Sequence, residues 1–302
     1  MVPVDISICN DCLKELFDGK NRRYLFPFTN CTVCGARFSV IKDVPYDRER
    51  TSMDEFKLCK SCSKEYNQPL DRRYHAQTIS CPVCGPVYKL YDKQKKDLGT
   101  KDSIKRFASQ IDAGKIGVIK SWGGMHMCCK IEEIHHFRKW YNRPQKSFAV
   151  MVKDLKTTEK YGEITEDEKK LLLSKNKPIV LVKKKKAEEI SPGLNTIGLY
   201  LPYTGLHHLL FSYLKSDALI MTSANLHGEP MIITNHDAFS LSADFYLLHN
   251  RAIPNRVDDS VVRLWKGNNF FIRKSRGYVP EPISVSYKNR ILSVGEIGRA
   301  HV

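Results

Sequence analysis

Long apolar runs are missing from this 302-residue chain. None approaches the roughly 18 consecutive apolar residues of a membrane-spanning helix, so no membrane role is expected. The first residues carry Asp5, Asn10, Asp11 and two cysteines where a secretory leader would place its apolar core. Acidic side chains are in short supply: 33 Asp and Glu face 49 Lys and Arg, a formal net charge of +16. That balance disfavours a cationic partner and suits an anionic one, whether nucleotide, nucleic acid or an acidic protein face. A solvated, lysine-rich surface accounts for it equally well. Cysteine outside close pairs is nearly absent, because eight of the ten lie in C-x2-C pairs and only Cys128 and Cys129 do not. Such pairing points away from a secreted disulfide framework and toward bound metal in a reducing cytoplasm. A 42% hydrophobic, 27% charged composition is that of a globular chain, and its length suits two domains better than one.

What is present begins with a repeat of period 50. Cys9, Cys12, Cys31 and Cys34 recur as Cys59, Cys62, Cys81 and Cys84, and each unit reads C-x2-C-x18-C-x2-C. The repeat extends past the cysteines: Lys14-Glu15 recurs as Lys64-Glu65, Arg22-Arg23-Tyr24 as Arg72-Arg73-Tyr74, and Cys34-Gly35 as Cys84-Gly85. Two residues between thiolates form a tight knuckle, and the excursion lets a second knuckle return to complete a tetrahedron around Zn2+. Four thiolates leave no open position, so two structural zinc ions are expected, in modules spanning residues 1–50 and 51–92. Gly35 and Gly85 fall where such a knuckle calls for positive φ. A unit of this size cannot bury an adequate core alone, so the metal supplies part of its folding free energy. His75 reads as a surface or packing residue.

Residues 91–100 read as a polar linker. Beyond them, Asp102 or Ser103 can cap a helix carrying Ile104, Phe107, Ala108 and Ile111 on one face and stopping at Gly114. Strands are expected at 117–119, 148–152, 178–182, 218–221 and 245–248. Residues 122–126 form a Gly-rich turn, and 183–186 a solvated one. Helices are expected at 130–142 and 204–214, and a third opens on the capping box Thr165-x-x-Glu168. Two strands, 261–265 and 270–273, make a hairpin. This order predicts an α/β (α+β) fold, a twisted mixed sheet with flanking helices over residues 100–290, and a stub at 291–302. Because this domain has its own strands, loss of Cys9 should leave it standing. Cys128 and Cys129 read as small buried residues, His207 and His208 as packing, and His135 and His136 as helix surface. His126 is the histidine kept as a possible pocket residue.

The densest passages are Pro192-Gly-Leu-Asn-Thr-Ile-Gly-x-x-Leu-Pro-Tyr-Thr-x-Leu-His-His-Leu-Leu210, Met221-Thr-Ser-x-Asn225, Leu247-Leu-His-Asn-Arg251, Asp258-Asp-Ser-Val-Val-Arg263 and Ser275-Arg-Gly-Tyr-Val-Pro280. With Arg143-Pro-x-Lys146 and the tandem cysteine units, they resemble the HypF carbamoyltransferases, which mature nickel–iron hydrogenases. The part from Thr100 onward is similar to the YrdC family, whose members make carbamoyl-type adenylates from ATP. The resemblance implies that carbamoyl phosphate supplies carbamate and that the YrdC-like domain joins it to AMP. A further domain then passes the carbamoyl group to a C-terminal cysteine of a HypE-like acceptor, on the way to a cyanide ligand of the hydrogenase iron. Relatives place an acylphosphatase domain before the zinc modules and a large transferase domain after the YrdC-like one. The chain is therefore read as a fragment or a short natural form. It departs from the family at Tyr141, where YrdC-type enzymes use a lysine two residues before the arginine to contact phosphate or the acyl carboxylate, and at Ser147, where proline is common. Lys139 is a cation that could substitute.

The same resemblance supplies roles. Arg143, Lys146 and Ser223 are expected to act in catalysis. Nucleotide binding falls to Arg143, Lys146, Ser223, Asn225, Ser260, Arg273 and Arg276, with ATP and Mg2+ as cofactors beside the two zinc ions. Asp258 and Asp259 either hold Mg2+ or turn the chain into the hairpin. Two other functions fit parts of the sequence: threonylcarbamoyl-adenylate synthesis for tRNA modification, and non-enzymatic nucleic-acid binding. The tandem zinc units argue against the first. The second lacks an aromatic base-stacking surface on those units.

Overall fold

The computed structural model describes residues 2–185, 188–282 and Ser286; the expected stub at 291–302 and Lys186 of the expected turn lie outside them. Local signals hold at the helices. The face formed by Ile104, Phe107, Ala108 and Ile111 is buried, and the chain turns at Gly114 with φ +83°. The start differs from expectation, because Asp102 adopts a left-handed conformation and its side chain caps nothing. At the Thr165 helix both bonds of the capping box form: the Glu168 N–H donates to Thr165 Oγ1, and the Thr165 N–H to Glu168 Oε2.

In chain order the elements are α1 (Asn10–Phe17), α2 (Lys60–Asn67), β1 (Tyr88–Asp92), α3 (Ser103–Asp112), β2 (Gly117–Lys120), β3 (Met125–Lys130), α4 (Ile134–Tyr141) and β4 (Val150–Val152). Then come α5 (Leu155–Thr158), β5 (Gly162–Glu163), α6 (Glu166–Leu173), β6 (Ile179–Lys184), β7 (Thr196–Tyr200), α7 (Gly205–Tyr213) and β8 (Ala218–Ser223). The last are α8 (Asn235–Ala238), β9 (Phe245–His249), β10 (Val261–Trp265) and β11 (Asn268–Arg273). All strands join one mixed sheet, in the order β1-β9-β2-β3-β8-β4-β7-β6-β10-β11, with β5 beside β6. The pairs β2–β9, β4–β7 and β6–β10 are parallel, and the rest are antiparallel.

Several stretches depart from the sequence reading: Lys183 and Lys184 of the expected solvated turn extend β6, and Lys130 of the expected helix ends β3. Residues 88–92, partly inside the expected linker, form the edge strand β1 against β9. The expected turn at 122–126 ends early, and Met125 and His126 begin β3, which pairs with both β2 and β8. β7 lies unannounced within the motif-rich passage. β3 is a Met- and Cys-rich run buried on both faces, with neither polar alternation nor β-branched residues to reveal it.

The sheet sorts its side chains into two apolar layers. Leu219 and Met221 of β8 face α3, α7 and the first zinc module, while Ala218 and Ile220 face the layer holding Phe137 of α4 and Leu172 of α6. Ile8, Leu16, Phe26, Phe28 and Val40 of the first module share one continuous core with Phe107, Tyr203, Leu206 and Leu210. The domain therefore does not bury its face alone, contrary to the expectation that losing Cys9 would spare it.

Candidate metal centres and nucleotide site

The first two helices begin at cysteines, so each outer knuckle is a helix N-terminus: Cys9 precedes α1 and Cys59 precedes α2. Sulfur–sulfur separations are 3.8 Å for Cys9–Cys31, 3.7 Å for Cys31–Cys34 and 3.6 Å for Cys12–Cys34. In the second module Cys59–Cys81, Cys81–Cys84 and Cys62–Cys84 are 3.7, 3.8 and 3.6 Å apart. No pair is at bonding distance. A tetrahedral ion with Zn–S bonds of about 2.3 Å sets its sulfurs about 3.8 Å apart, so both donor sets fit zinc in shape as well as in chemistry. The glycines after the knuckles serve different ends. Gly35 has φ +109°, as expected, and an added Cβ would lie 2.9 Å from Asn30 Cβ. Gly85 does not have positive φ; its role is close approach, since a Cβ there would meet Phe26 Cζ at 2.5 Å. His75 is exposed and packs against Tyr66 and Tyr74.

The repeated residues beyond the cysteines join the two modules. Arg22 donates to Glu65 and, at 3.1 Å, to Cys62 Sγ. Its counterpart Arg72 donates to Glu15 and, at 2.9 Å, to Cys12 Sγ. Arg23 is buried and donates to Glu65 and the Ser80 carbonyl; Arg73 does likewise to Glu15 and the Asn30 carbonyl. Burial alone would raise the Glu65 carboxyl, but Arg23 and Arg22 outweigh it and bring it down to about 2.

The nucleotide candidates converge on the end of β8. Ser223, its last residue, donates from Oγ to Asp258 Oδ1 at 2.6 Å, and Arg273 Nη1 lies 2.5 Å from Asp258 Oδ2. Nearby, the Tyr141 hydroxyl donates to the carbonyl and Oδ1 of Asn225, both at 2.9 Å. The cations of Arg143 and Lys146 lie over the Tyr141 ring, 5.3 and 5.1 Å from its centroid. Tyr141 thus gathers two cations over its ring, and burial raises its hydroxyl. Lys139 is exposed on α4.

Ser260 and Arg276 sit behind this group. Ser260 Oγ, fully buried, donates to the Arg276 carbonyl and accepts from the Ser275 N–H. Arg276, also buried, pairs with Asp259 at 2.5 Å, donates to the Asn176 and Lys177 carbonyls, and stacks 3.5 Å over Tyr203. Asp259 also bonds His126 Nε2 at 2.8 Å. Burial alone would raise the Asp259 carboxyl, yet Arg276 and His126 hold it well below the usual range. An ionised carboxylate only accepts, so His126 Nε2 carries a proton toward Asp259, and its Nδ1 is buried with no hydrogen-bond partner among the described residues. His207 faces it at 6.4 Å with both ring nitrogens unpartnered, and burial keeps it neutral. The aspartates do not fit the expected Mg2+ role: both oxygens of Asp259 are committed inside the protein, and those of Asp258 to Ser223 and Arg273.

Sequence reasoning missed the Asp258 clasp and the Tyr141–Asn225 bond. The signal for the first was there, in an Asp-Asp-Ser turn facing an Arg-Lys-Ser-Arg strand end, but the register that joins them was not. The pairing of His126 with Asp259 was likewise invisible.

The mixed sheet with polar groups at the end of β8 defines a class. The family model for the Sua5, YciO and YrdC proteins, described as "Telomere recombination", matches residues 109–275. A variant of P. abyssi Sua5 shares the fold at 16% identity, with a TM-score of 0.51 over 57% of this chain and 53% of its own. A second model, the HypF finger, matches twice, at residues 8–41 and 58–91. The chain belongs to the Sua5–YciO–YrdC family and, within it, is homologous to the HypF carbamoyltransferases. The "Probable carbamoyltransferase HypF" of Methanocaldococcus jannaschii is 47% identical over 97% of this chain and 40% of its own length. HypF of Synechocystis sp. is 45% identical over 96% of this chain and 40% of its length. The crystal structure of T. kodakarensis HypF matches with TM-score 0.91 at 46% identity, over 95% of this chain and 39% of its own. A full-length HypF in a phosphate- and nucleotide-bound form matches at 0.88 and 42%, over 94% and 38%. The chain thus spans about 40% of the length of the curated relatives it matches. No helix among the described residues is long and apolar enough to cross a membrane.

Proposed function

We propose that this chain binds ATP at the end of β8 and joins carbamate, derived from carbamoyl phosphate, to AMP. One observation carries the reading: Arg143, Lys146, Tyr141 and Asn225 gather beside the Ser223–Asp258–Arg273 clasp at one strand end. Nucleotide binding in a HypF relative of 42% identity supports it. In the reaction a carbamate oxygen attacks the α-phosphorus, the new P–O bond forms as the bond to pyrophosphate breaks, and pyrophosphate leaves with the electron pair. Carbamate is already anionic, so no general base is needed; the work is positioning and charge stabilisation. Arg143 and Lys146 would neutralise phosphoryl oxygens, and Ser223 and Asn225 would offer hydrogen bonds. Arg273 would hold Asp258 and Ser223 in place, while Ser260 and Arg276 brace the floor. Mg2+ would enter as part of the nucleotide substrate, and no protein ligand is assigned to it. Transfer of the carbamoyl group to a HypE-like acceptor, in a cytoplasmic hydrogenase-maturation route, would need the remaining length that the relatives possess.

The test is ATP–pyrophosphate exchange with four separate additions: carbamoyl phosphate, freshly dissolved ammonium carbamate, bicarbonate, and threonine together with bicarbonate. Exchange with carbamate is expected; exchange only with threonine plus bicarbonate would replace this reading with the tRNA-modifying one. Arg143→Ala should weaken ATP binding by roughly 1.5–3 kcal/mol, the worth of a charge-assisted contact. Unchanged affinity by calorimetry would move the nucleotide elsewhere.

A further inference from the structure

The period-50 repeat places four pairs of contacts in the same relation across the two modules. Arg22 meets Cys62 and Glu65, and Arg72 meets Cys12 and Glu15. Arg23 reaches Glu65 and the Ser80 carbonyl, and Arg73 reaches Glu15 and the Asn30 carbonyl. Shifting each arginine by 50 in one direction and its partner by 50 in the other turns one member of each pair into the other, so the modules are related as the halves of a pseudo-twofold dimer. Neither module supplies a guanidinium to its own sulfurs in any of these bonds.

This exchange has a chemical reason. Zn2+ with four thiolates carries a net charge of −2, and Cys12 and Cys62 are the least exposed ligands of their sets. A guanidinium donating to a thiolate sulfur offsets that charge and satisfies a sulfur lone pair away from water. Each arginine is also fixed by a carboxylate, so it is held in place before metal arrives. Partners of this kind orient ligands and tune metal retention.

We propose that each zinc site is completed by the other module, with Arg72 positioning Cys12 of the first site and Arg22 positioning Cys62 of the second, so that the two metals are retained as a linked pair. Metal lost from one site then loosens its module, withdraws that module's arginine and weakens the other site.

The experiment uses the full chain loaded with zinc, a chelator in excess, and a thiol-alkylating reagent whose adducts are mapped by peptide mass spectrometry. In Arg22→Ala, Cys59, Cys62, Cys81 and Cys84 should be alkylated first, with zinc leaving about tenfold faster or more. In Arg72→Ala, the early adducts should fall on Cys9, Cys12, Cys31 and Cys34. Glu65→Gln, which removes the carboxylate but leaves the sulfur contact, should show a smaller effect on the second set. Cys84→Ser should speed release from the first set although it touches none of its ligands. If an alanine variant does not fold, Arg22→Lys and Arg72→Lys serve in its place and should give the same crosswise order. In the arginine variants, alkylation that begins in the substituted arginine's own module, or rates like the unaltered chain, would overturn the proposal, as would first-set release in Cys84→Ser at the unaltered rate.

Discussion

The two zinc modules carry the same ligands at the same spacing, but they are built into the molecule differently. In the first, Ile8, Leu16, Phe26 and Phe28 are buried and continuous with the core under α3 and α7. The positions 50 residues later are Leu58, Tyr66, Ala76 and Thr78, and the second module closes on a small cluster of its own: Cys62, Ala76, Ile79 and Cys81. Its Leu70 and Val83 are 94% and 83% exposed, so neither is covered by any of the described residues. The lesson is that a ligand frame fixes a local fold without fixing what stabilises it. The first module shares its stability with a large apolar core, whereas the second depends on its metal and on the arginine exchange with its neighbour.

The largest test of that contrast removes a ligand from each. Cys12→Ser should unseat a piece of the shared core and lower the main thermal transition of the whole chain by roughly 10 °C or more, as a loss of several kcal/mol does at this size. Cys62→Ser should lower it by less than half as much, with scanning calorimetry as the readout. Equal shifts would erase the distinction.

A finer cut leaves the metals alone and loosens only the docking. Asn255 Nδ2 donates to the Phe38 and Ile41 carbonyls at 2.8 and 2.7 Å, tying the first module to the sheet domain. Asn255→Ala should cost about 1–3 kcal/mol, because those carbonyls lose their partner. Hydrogen exchange should speed up around residues 36–44 and stay unchanged in the second module. A uniform increase would mean that the modules move as one block.

Alkaline pH offers the mildest probe, since it acts on the sheet domain and leaves module arginines charged. Lys120 is buried, and burial together with Arg251 lowers its ammonium to about 7. Above that value the folded chain has released a proton that the unfolded chain keeps until about 10.4, so stability rises with pH. Between pH 7 and 8 the gain is roughly 1 kcal/mol. Lys120→Met should remove that rise in chemical denaturation, and a slope identical to the unaltered chain would assign it to another group.

The sequence made some of this legible for identifiable reasons. The zinc ligands were readable because a metal knuckle is local, and α3 because an amphipathic face repeats every turn. β3 was not, since a strand buried on both faces has no alternation to read. β1 was hidden because its partner, β9, lies far along the chain and its own residues look polar. At the candidate site, Arg143, Lys146, Ser223 and Asn225 could be named by motif. The commitment of Arg276 to Asp259 and to two backbone carbonyls could not, because only the register of β10 against β6 brings residues 176–177 beside it.

The edge strand β1 has a consequence for the order of assembly. It begins four residues after Cys84, the last zinc ligand, yet its partner β9 is synthesised after every strand except those of the closing hairpin. On a chain growing from its N-terminus, both thiolate sets are complete before any strand of the sheet can find a neighbour. Closing such distant pairs is the slow part of folding, and local structure precedes it. Among these residues zinc capture therefore comes before closure of the sheet, which forms around a module that has already been set.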